Sequence, residues 1–436
     1  VLKDASSTSL YGSRGANGVI IVNTKSGKKG TPTRISVTSK YGNSNMATPM
    51  HDLLGIDQYT ELFWEAYRNM ELYESGLSAT DAAAAASSNL VSALGYNPYG
   101  ITEPVDNQGN LSEVAAWDTD WKGAILNNSA YKKQHGLSIS GGTDKTTFYL
   151  GSNYLKEQGQ VKSTYFERFA TRLNVNTEVN DYISSGLNFS YTSSKQNAPN
   201  QSGTSFSNSI QWIYVIPSYY PLYKRGSDGT LLKDSNGFPE FDYGNNTTQI
   251  VNGVRPALSN ENGLGVLINN EISNSRTYIS MNGYLEFKLL PELNFKTSVL
   301  YEKASLDNFQ YTHNKYGAAS SVQGRVSQDR NFFTTLNMIQ TLNYKKTFGA
   351  HSINADGIFE SYRFEQNLIQ AQGTGYLPNV KVLNGSTVPE SVGGAINEER
   401  LLSAITRVSY NYDNTYFAEA SFRRDGSTKF SADTRW

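Results

Sequence analysis

After residue 33, apolar and polar side chains alternate one by one along most of this chain, and that period of two limits the fold more than any other feature. In Tyr182–Thr192, the residues Ile183, Leu187, Phe189 and Tyr191 share one parity while Ser184, Gly186, Asn188, Ser190 and Thr192 take the other. Arg276–Leu289 sets Ile279, Met281, Leu285, Phe287 and Leu289 against Arg276, Ser280, Asn282, Glu286 and Lys288. Leu293–Glu302 does the same with Phe295, Val299 and Tyr301. Weaker versions cover Arg34–Tyr41, Gln134–Ser140, Thr146–Lys156, Phe166–Val179, Asn331–Lys345, His351–Glu360, Leu402–Tyr412 and Thr415–Arg423. The pattern predicts about eleven strands, several near the ~9–11 residues that a tilted strand needs to cross a bilayer.

The connections between these strands alternate in length. Gly141–Lys145, Asn180–Asp181, Leu290–Glu292, Thr347–Ala350 and Asp413–Asn414 are short. Between them fall the longer stretches 42–133, 157–165, 196–275, 304–330 and 361–401. Short turns at one end and long loops at the other are the mark of a transmembrane antiparallel up-and-down β-barrel, and a Greek-key sandwich would not produce them. Tyr182, Phe295, Tyr344, Phe348, Tyr410, Tyr412 and Tyr416 lie near the short turns, where one interfacial aromatic belt belongs.

Composition agrees with an all-β membrane wall and removes other classes. No apolar run approaches the ~20 residues of a spanning helix, and the mean hydropathy of −0.49 excludes a helical membrane bundle without excluding a barrel. A formal charge of −1 gives no global field for nucleic acid. Cysteine is absent, and none of the four histidines, His51, His135, His313 and His351, stands at metal-ligand spacing from another, so no metal or cofactor is expected. Neither a G-x-S-x-G turn nor a P-loop occurs, and no catalytic residue is assigned. Asp118 and Asp120, between Trp117 and Trp121, resemble a carboxylate pair, but acids two residues apart in a loop are ordinarily solvated or capping groups.

Within the first long connection, Leu62, Phe63, Ala66 and Met70 in Asp57–Tyr73 recur at helical spacing, and Ala79–Leu94 carries an alanine run. Two helices are therefore expected in that external loop. Arg172, Asn174, Asn176 and Glu178 share one side of their strand, and Asn354, Asp356 and Glu360 share one side of theirs; these would line the lumen, because a charge at mid-depth in lipid costs up to ~2–4 kcal/mol. In 196–275, Trp212, Tyr214, Tyr219, Tyr220 and Tyr223 cluster around Pro217 and Pro221. They are candidate contacts for a ligand or a lid, by stacking on sugars or peptide side chains, or else an aromatic knot that folds the loop.

The opening, VLKDASSTSLYGSRGANGVIIVNTKSGKKG, places Gly12, Arg14, Gly15, Asn17 and Gly18 in a glycine-punctuated turn before the apolar run Val19–Val22, which suits a buried strand. This string resembles the C-terminal plug segment of the SusC/RagA family of TonB-dependent outer-membrane transporters. Leu137–Val161, Phe166–Asn174 (FERFATRLN) and Ser421–Phe430 (SFRRDGSTKF) resemble the same family, from end to end of the chain.

The resemblance implies a plugged barrel of twenty-two strands in the outer membrane of Bacteroidetes-type bacteria, importing glycan oligosaccharides or, in some members, peptides. It implies a SusD-like surface lipoprotein as lid and TonB as energy source, acting through an N-terminal box not found in this sequence. Residues 1–30 would be the end of the plug and 31–436 the first half of the barrel, an internal stretch of a longer protein with about eleven strands of the twenty-two. Plug contact is the favoured role for the lumen-lining residues. The competing expectations are a passive porin and a surface adhesion or structural β-protein.

Overall fold

The computed structural model describes residues 12, 15, 17–22, 24–199, 208–226, 228–244, 255, 257–378 and 380–436. Eleven strands form one antiparallel sheet in sequence order: β1 (Thr31–Ser44), β2 (Ala130–Gly142), β3 (Thr146–Gln158), β4 (Tyr165–Glu178), β5 (Ile183–Asn197), β6 (Glu271–Leu290), β7 (Leu293–Thr312), β8 (Arg325–Phe348), β9 (His351–Thr374), β10 (Val388–Tyr412) and β11 (Tyr416–Ser427). All eleven expected strands are present, in order and joined as an up-and-down meander. No helix among the described residues is long and apolar enough to cross a membrane.

The short connections close tightly. Asp413 and Asn414 both sit at φ 49° between β10 and β11, a left-handed pair that these short polar side chains tolerate. At the other end the strands run farther than the alternation alone indicates. Residues 304–312 and 325–330 extend β7 and β8, and 361–374 and 388–401 extend β9 and β10, so the connections expected at 304–330 and 361–401 shrink to 313–324 and 375–387. The reason is that apolar and polar residues are mixed there without a sustained alternation, and backbone pairing does not need one.

The register carries the alternation across the sheet. On one face Ile35, Ile139, Leu150, Leu173, Phe189, Met281, Tyr301 and Leu336 are direct partners from strand to strand. Leu187, Met281, Leu285 and Met338 on this face are exposed, and no second sheet of described residues covers them. A row of uncovered apolar side chains is an outer wall that faces hydrocarbon, since water would penalise it at about 25 cal/mol per Å². Phe295, Tyr344, Tyr410 and Tyr416 share this face near the short turns. On the same face Arg363, Glu398 and Arg400 pair with one another (Arg363–Glu398 3.3 Å, Arg400–Glu398 3.1 Å), with exposed Ile369, Val392 and Ile396 farther along.

The opposite face is polar and equally continuous: Asn176, Gly186, Tyr284, Ser298, Ile339, Glu360, Ser403 and Asp425 are successive partners. Both sets of expected lumen residues, on β4 and on β9, therefore lie on one side of one sheet.

A compact cap is built by the described residues of the connections 45–129 and 198–270. Helix α1 (Ile56–Tyr73) packs on α2 (Ala79–Leu94), with α3 (Trp121–Ile125), α4 (Ser209–Val215) and α5 (Gly263–Asn269) completing it. The alanine run explains the close approach. Ala82, Ala83 and Ala86 are buried with Leu90 and Leu94, and the small side chains bring α2 near enough for Trp64 Nε1 on α1 to donate to Ser87 Oγ at 2.9 Å.

A Leu187→Arg substitution should destabilise this wall in lipid by about 2–4 kcal/mol, while Asn188→Arg on the polar face should cost much less. Urea titration of the reconstituted protein checks the difference.

Candidate functional site

The segment before β1 lies against the polar face at two places far apart in the sheet. At its far end Gly12 adopts φ +60°, and a Cβ there would stand 2.5 Å from Arg423 Nε. Only a glycine backbone fits so near that side chain. Gly18 N–H closes a turn onto Gly15 O at 2.9 Å, and Asn17 stays exposed. Arg14 lies outside the described residues. Nearer β1, Asn174 Nδ2 donates to Thr24 Oγ1 at 3.1 Å and to Lys25 O, and Lys29 pairs with Glu178. Gly27 passes the β2–β3 turn so closely that a Cβ would sit 2.3 Å from Gly141 O. Ile20, Ile21 and Val22, expected as part of a buried strand, belong to none; no described strand pairs beside them, so their side chains stand open.

The wall beneath Gly12 is an ion network. Arg423 Nη2 donates to Glu360 at 3.0 Å and to Ser403 Oγ at 2.9 Å, and Arg423 Nε to Asp425 at 2.8 Å. Arg407 pairs with Asp356 at 3.1 Å, and Asn343 donates to Asn354 and Asp356 at 2.8 and 2.6 Å. Buried charges persist only when paired and hydrogen-bonded in this way. Asp356 and Glu360 thus hold Arg407 and Arg423, while Asn354 pairs with Asn343. Asn176 accepts from Tyr284 Oη at 3.2 Å, while Arg172 is exposed beside a cleft of 680 Å³ between Thr24–Lys25 and the polar side chains of β1–β5.

The aromatic cluster divides. Trp212 (1% exposed), Tyr219 and Tyr220 are interior: Trp212 packs on Trp121 at 4.8 Å between ring centres, and Tyr219 meets Tyr220 edge-on at 4.9 Å. As ligand contacts these three are corrected here to the core of the cap, because the apolar faces of α1 and α2 need covering and these rings supply the area. Tyr214 is 62% exposed, and Tyr223 is half-buried against Phe241. Deeper in the cap, Tyr96 Oη donates to buried Asp242 at 2.9 Å, and Arg255 lies over Tyr220 at 4.9 Å. Burial pushes the Asp242 carboxyl above its ordinary range, with Arg255 and the Gly244 N–H offsetting only part of it.

Asp118 and Asp120 prove to be capping groups. Asp118 accepts from Ile56 N–H at the start of α1 (3.1 Å) and Asp120 from Gly123 N–H in α3 (2.8 Å). They also border a 650 Å³ cleft with Leu53, Leu54, Trp121 and Tyr214, which sequence reasoning did not single out. No cluster of His, Asp or Glu able to hold a metal occurs among the described residues.

An antiparallel meander with an apolar outer face, a polar inner face and a strap docked on that inner face is the wall of an outer-membrane β-barrel. No family model matches the chain. TonB-dependent receptor P3 of Formosa agariphila is 26% identical over 444 residues, all of this chain and 38% of the relative. TonB-dependent receptor SusC of Bacteroides thetaiotaomicron is 25% identical over 451 residues, again all of this chain and 39% of the relative. A chain of the RagAB peptide transporter superimposes with a TM-score of 0.70 at 20% identity, over 99% of this chain and 46% of that one. Over its whole length the chain is thus similar to TonB-dependent receptors, SusC among them, and it shares the fold of the RagAB barrel wall. It spans less than two-fifths of the length of these curated relatives.

Trp212→Ala should loosen the cap by about 3–5 kcal/mol, the cost of emptying a core aromatic site, whereas Tyr214→Ala should leave stability within ~0.5 kcal/mol. Limited proteolysis of the 45–129 and 198–270 connections in the two variants distinguishes them.

Proposed function

We propose that this chain is the plug end (1–30) and first half of the barrel wall (31–436) of a receptor that actively imports nutrient oligomers across the outer membrane. The observation that carries the proposal is the strap formed by the described residues between Gly12 and Gly30, which touches the polar face at β4 and at β11 while the whole chain aligns with TonB-dependent receptors. A barrel with such an element in its lumen is shut at rest. Opening it takes work. Concentrating a solute a thousandfold needs about 4.1 kcal/mol, and a charge crossing 100 mV yields ~2.3 kcal/mol, so on the order of two protons per solute suffices. A leaky outer membrane holds no such potential, so the work must arrive from the inner membrane through TonB.

Glycan oligosaccharides are the cargo that the family resemblance favours, with a SusD-like lipoprotein closing over the cap as lid. Peptides are the second reading, supported by the fold shared with the RagAB peptide transporter. Lumen lining by Arg172, Asn174, Asn176 and Glu178 serves chiefly to seat the strap. Of the aromatic cluster, Tyr214 and Tyr223 are the candidates we keep for meeting solute or lid, a reading supported by the 62% exposure of Tyr214.

Liposomes holding the full-length receptor should swell slowly in oligosaccharide solutions, and uptake by cells should stop when TonB is deleted. Free swelling without TonB would instead mark a passive porin.

A further inference from the structure

Charges on the polar face answer one another at several points. Lys29 pairs with Glu178, Lys132 with Glu157 at 2.8 Å, Arg407 with Asp356 at 3.1 Å and Arg423 with Glu360 at 3.0 Å. Between β4 and β6 the pattern fails. Arg168, Arg172 and Arg276 stand on this face opposite serines in the register, Ser194 lying between Arg168 and Arg276 and Ser190 beside Arg172, and none of the three meets a carboxylate among the described residues. Arg168 Nε is buried and meets no acceptor of any kind among them.

The unanswered cations frame a cavity. Lys25 of the strap and Arg172 of the wall both line the 680 Å³ cleft between those two elements, and no described Asp or Glu lines it. Arg168 and Arg276 hold the next inward positions on β4 and β6, just past the lining residues Ala170 and Tyr278 and toward the long-loop end, where a solute arrives. Along β4 Arg168 is ~13 Å from Arg172, and across two strands it is ~10 Å from Arg276. Glu302, on the same row as Arg172, is three strands away and already accepts from Tyr278 Oη. The positive field is left for a solute, and a pore wall lined by Arg and Lys favours anions.

The rest of the lining narrows the kind of anion. Thr38, Ser138, Ser190 and Thr192 present hydroxyls and Tyr149 and Tyr278 present rings, the groups that pair with sugar hydroxyls and stack on sugar faces. An acidic peptide finds less to hold. The main chain from β2 to β6 is paired on both sides, so no strand edge around the cleft is open to a peptide backbone.

We propose that this cleft binds an anionic oligosaccharide, one whose sugars carry carboxylate or sulfate groups. The inference rests on the import reading above and narrows its cargo. Arg172 forks onto one anionic group while Lys25 neutralises it from the strap, and Arg168 and Arg276 meet the next groups along the oligomer. Arg172, which the strap leaves unengaged, thereby gains a partner. A neutral glycan keeps only the hydroxyl and ring contacts.

Calorimetric titration of the purified full-length receptor with maltohexaose, its sulfated form, a hexauronate, a Glu/Ala hexapeptide and inorganic sulfate tests this. At least one of the two anionic sugars should bind about tenfold or more tightly than maltohexaose, and high salt should remove most of that preference. Arg172→Gln and Arg276→Gln should each weaken that sugar about three- to tenfold with the urea midpoint unchanged, and Arg172→Lys should restore part of the loss. Anionic sugars that bind no better than maltohexaose overturn the proposal, as do full affinity in both Gln variants, tighter binding of the acidic peptide, or displacement of the sugar by an equal concentration of sulfate. TonB-dependent uptake of a neutral oligomer alongside any of those results would leave the import reading standing.

Discussion

Hydrocarbon offers no partner to a backbone N–H or C=O, and every other property of this wall follows from that. Each strand from β2 to β10 is paired on both sides over long registers, so the main chain is satisfied within the sheet and only side chains face the lipid. Pairing fixes the register, and the register turns eleven separate alternations into two continuous faces. A slip of one residue between β4 and β5 would carry Leu187 and Phe189 to the polar side and bring Asn188 into lipid, which is why the register is held so firmly.

The wall was therefore legible in the sequence almost strand by strand. Leu187 against Asn188, or Leu285 against Glu286, declares its face through a period of two that no tertiary contact has to supply. What lay beyond reach was of another kind. The outer parts of β9 and β10 mix polar, glycine and apolar side chains without a sustained alternation, so Glu365–Thr374 and Val388–Glu399 look like loop until their mutual pairing is seen. The Arg423–Glu360–Asp425 network could not be read either, because Glu360 and Arg423 are brought together only by the pairing of β9, β10 and β11. Two strings that resemble the same family, around Gly12 and around Arg423, turn out to touch. Sequence placed both and had no means of joining them.

The cap obeys different physics. It is a small water-soluble core set on a membrane wall, closed by burial of Trp64, Trp121, Trp212, Tyr219 and Tyr220. An aromatic-rich loop sequence is ambiguous for that reason. The same flat faces that stack on a sugar also fill a core, and only the position of α1 and α2 decides which they do. Tyr214 escapes burial because it points away on a seven-residue helix whose other side already holds Trp212 and Ile213.

Strand length has one further consequence. β8, β9 and β10 have 24, 24 and 25 residues, so at ~3.4 Å per residue and a tilt near 45° they climb about 60 Å, more than twice the ~25 Å of a barrel's apolar band. Strands β2–β5, of 13 to 15 residues, climb about 31–36 Å on the same reckoning, so the rim of this wall is not level: its β8–β10 side stands about three screening lengths of ~8 Å above its β2–β5 side, and the field along that side is set by the protein's own charges.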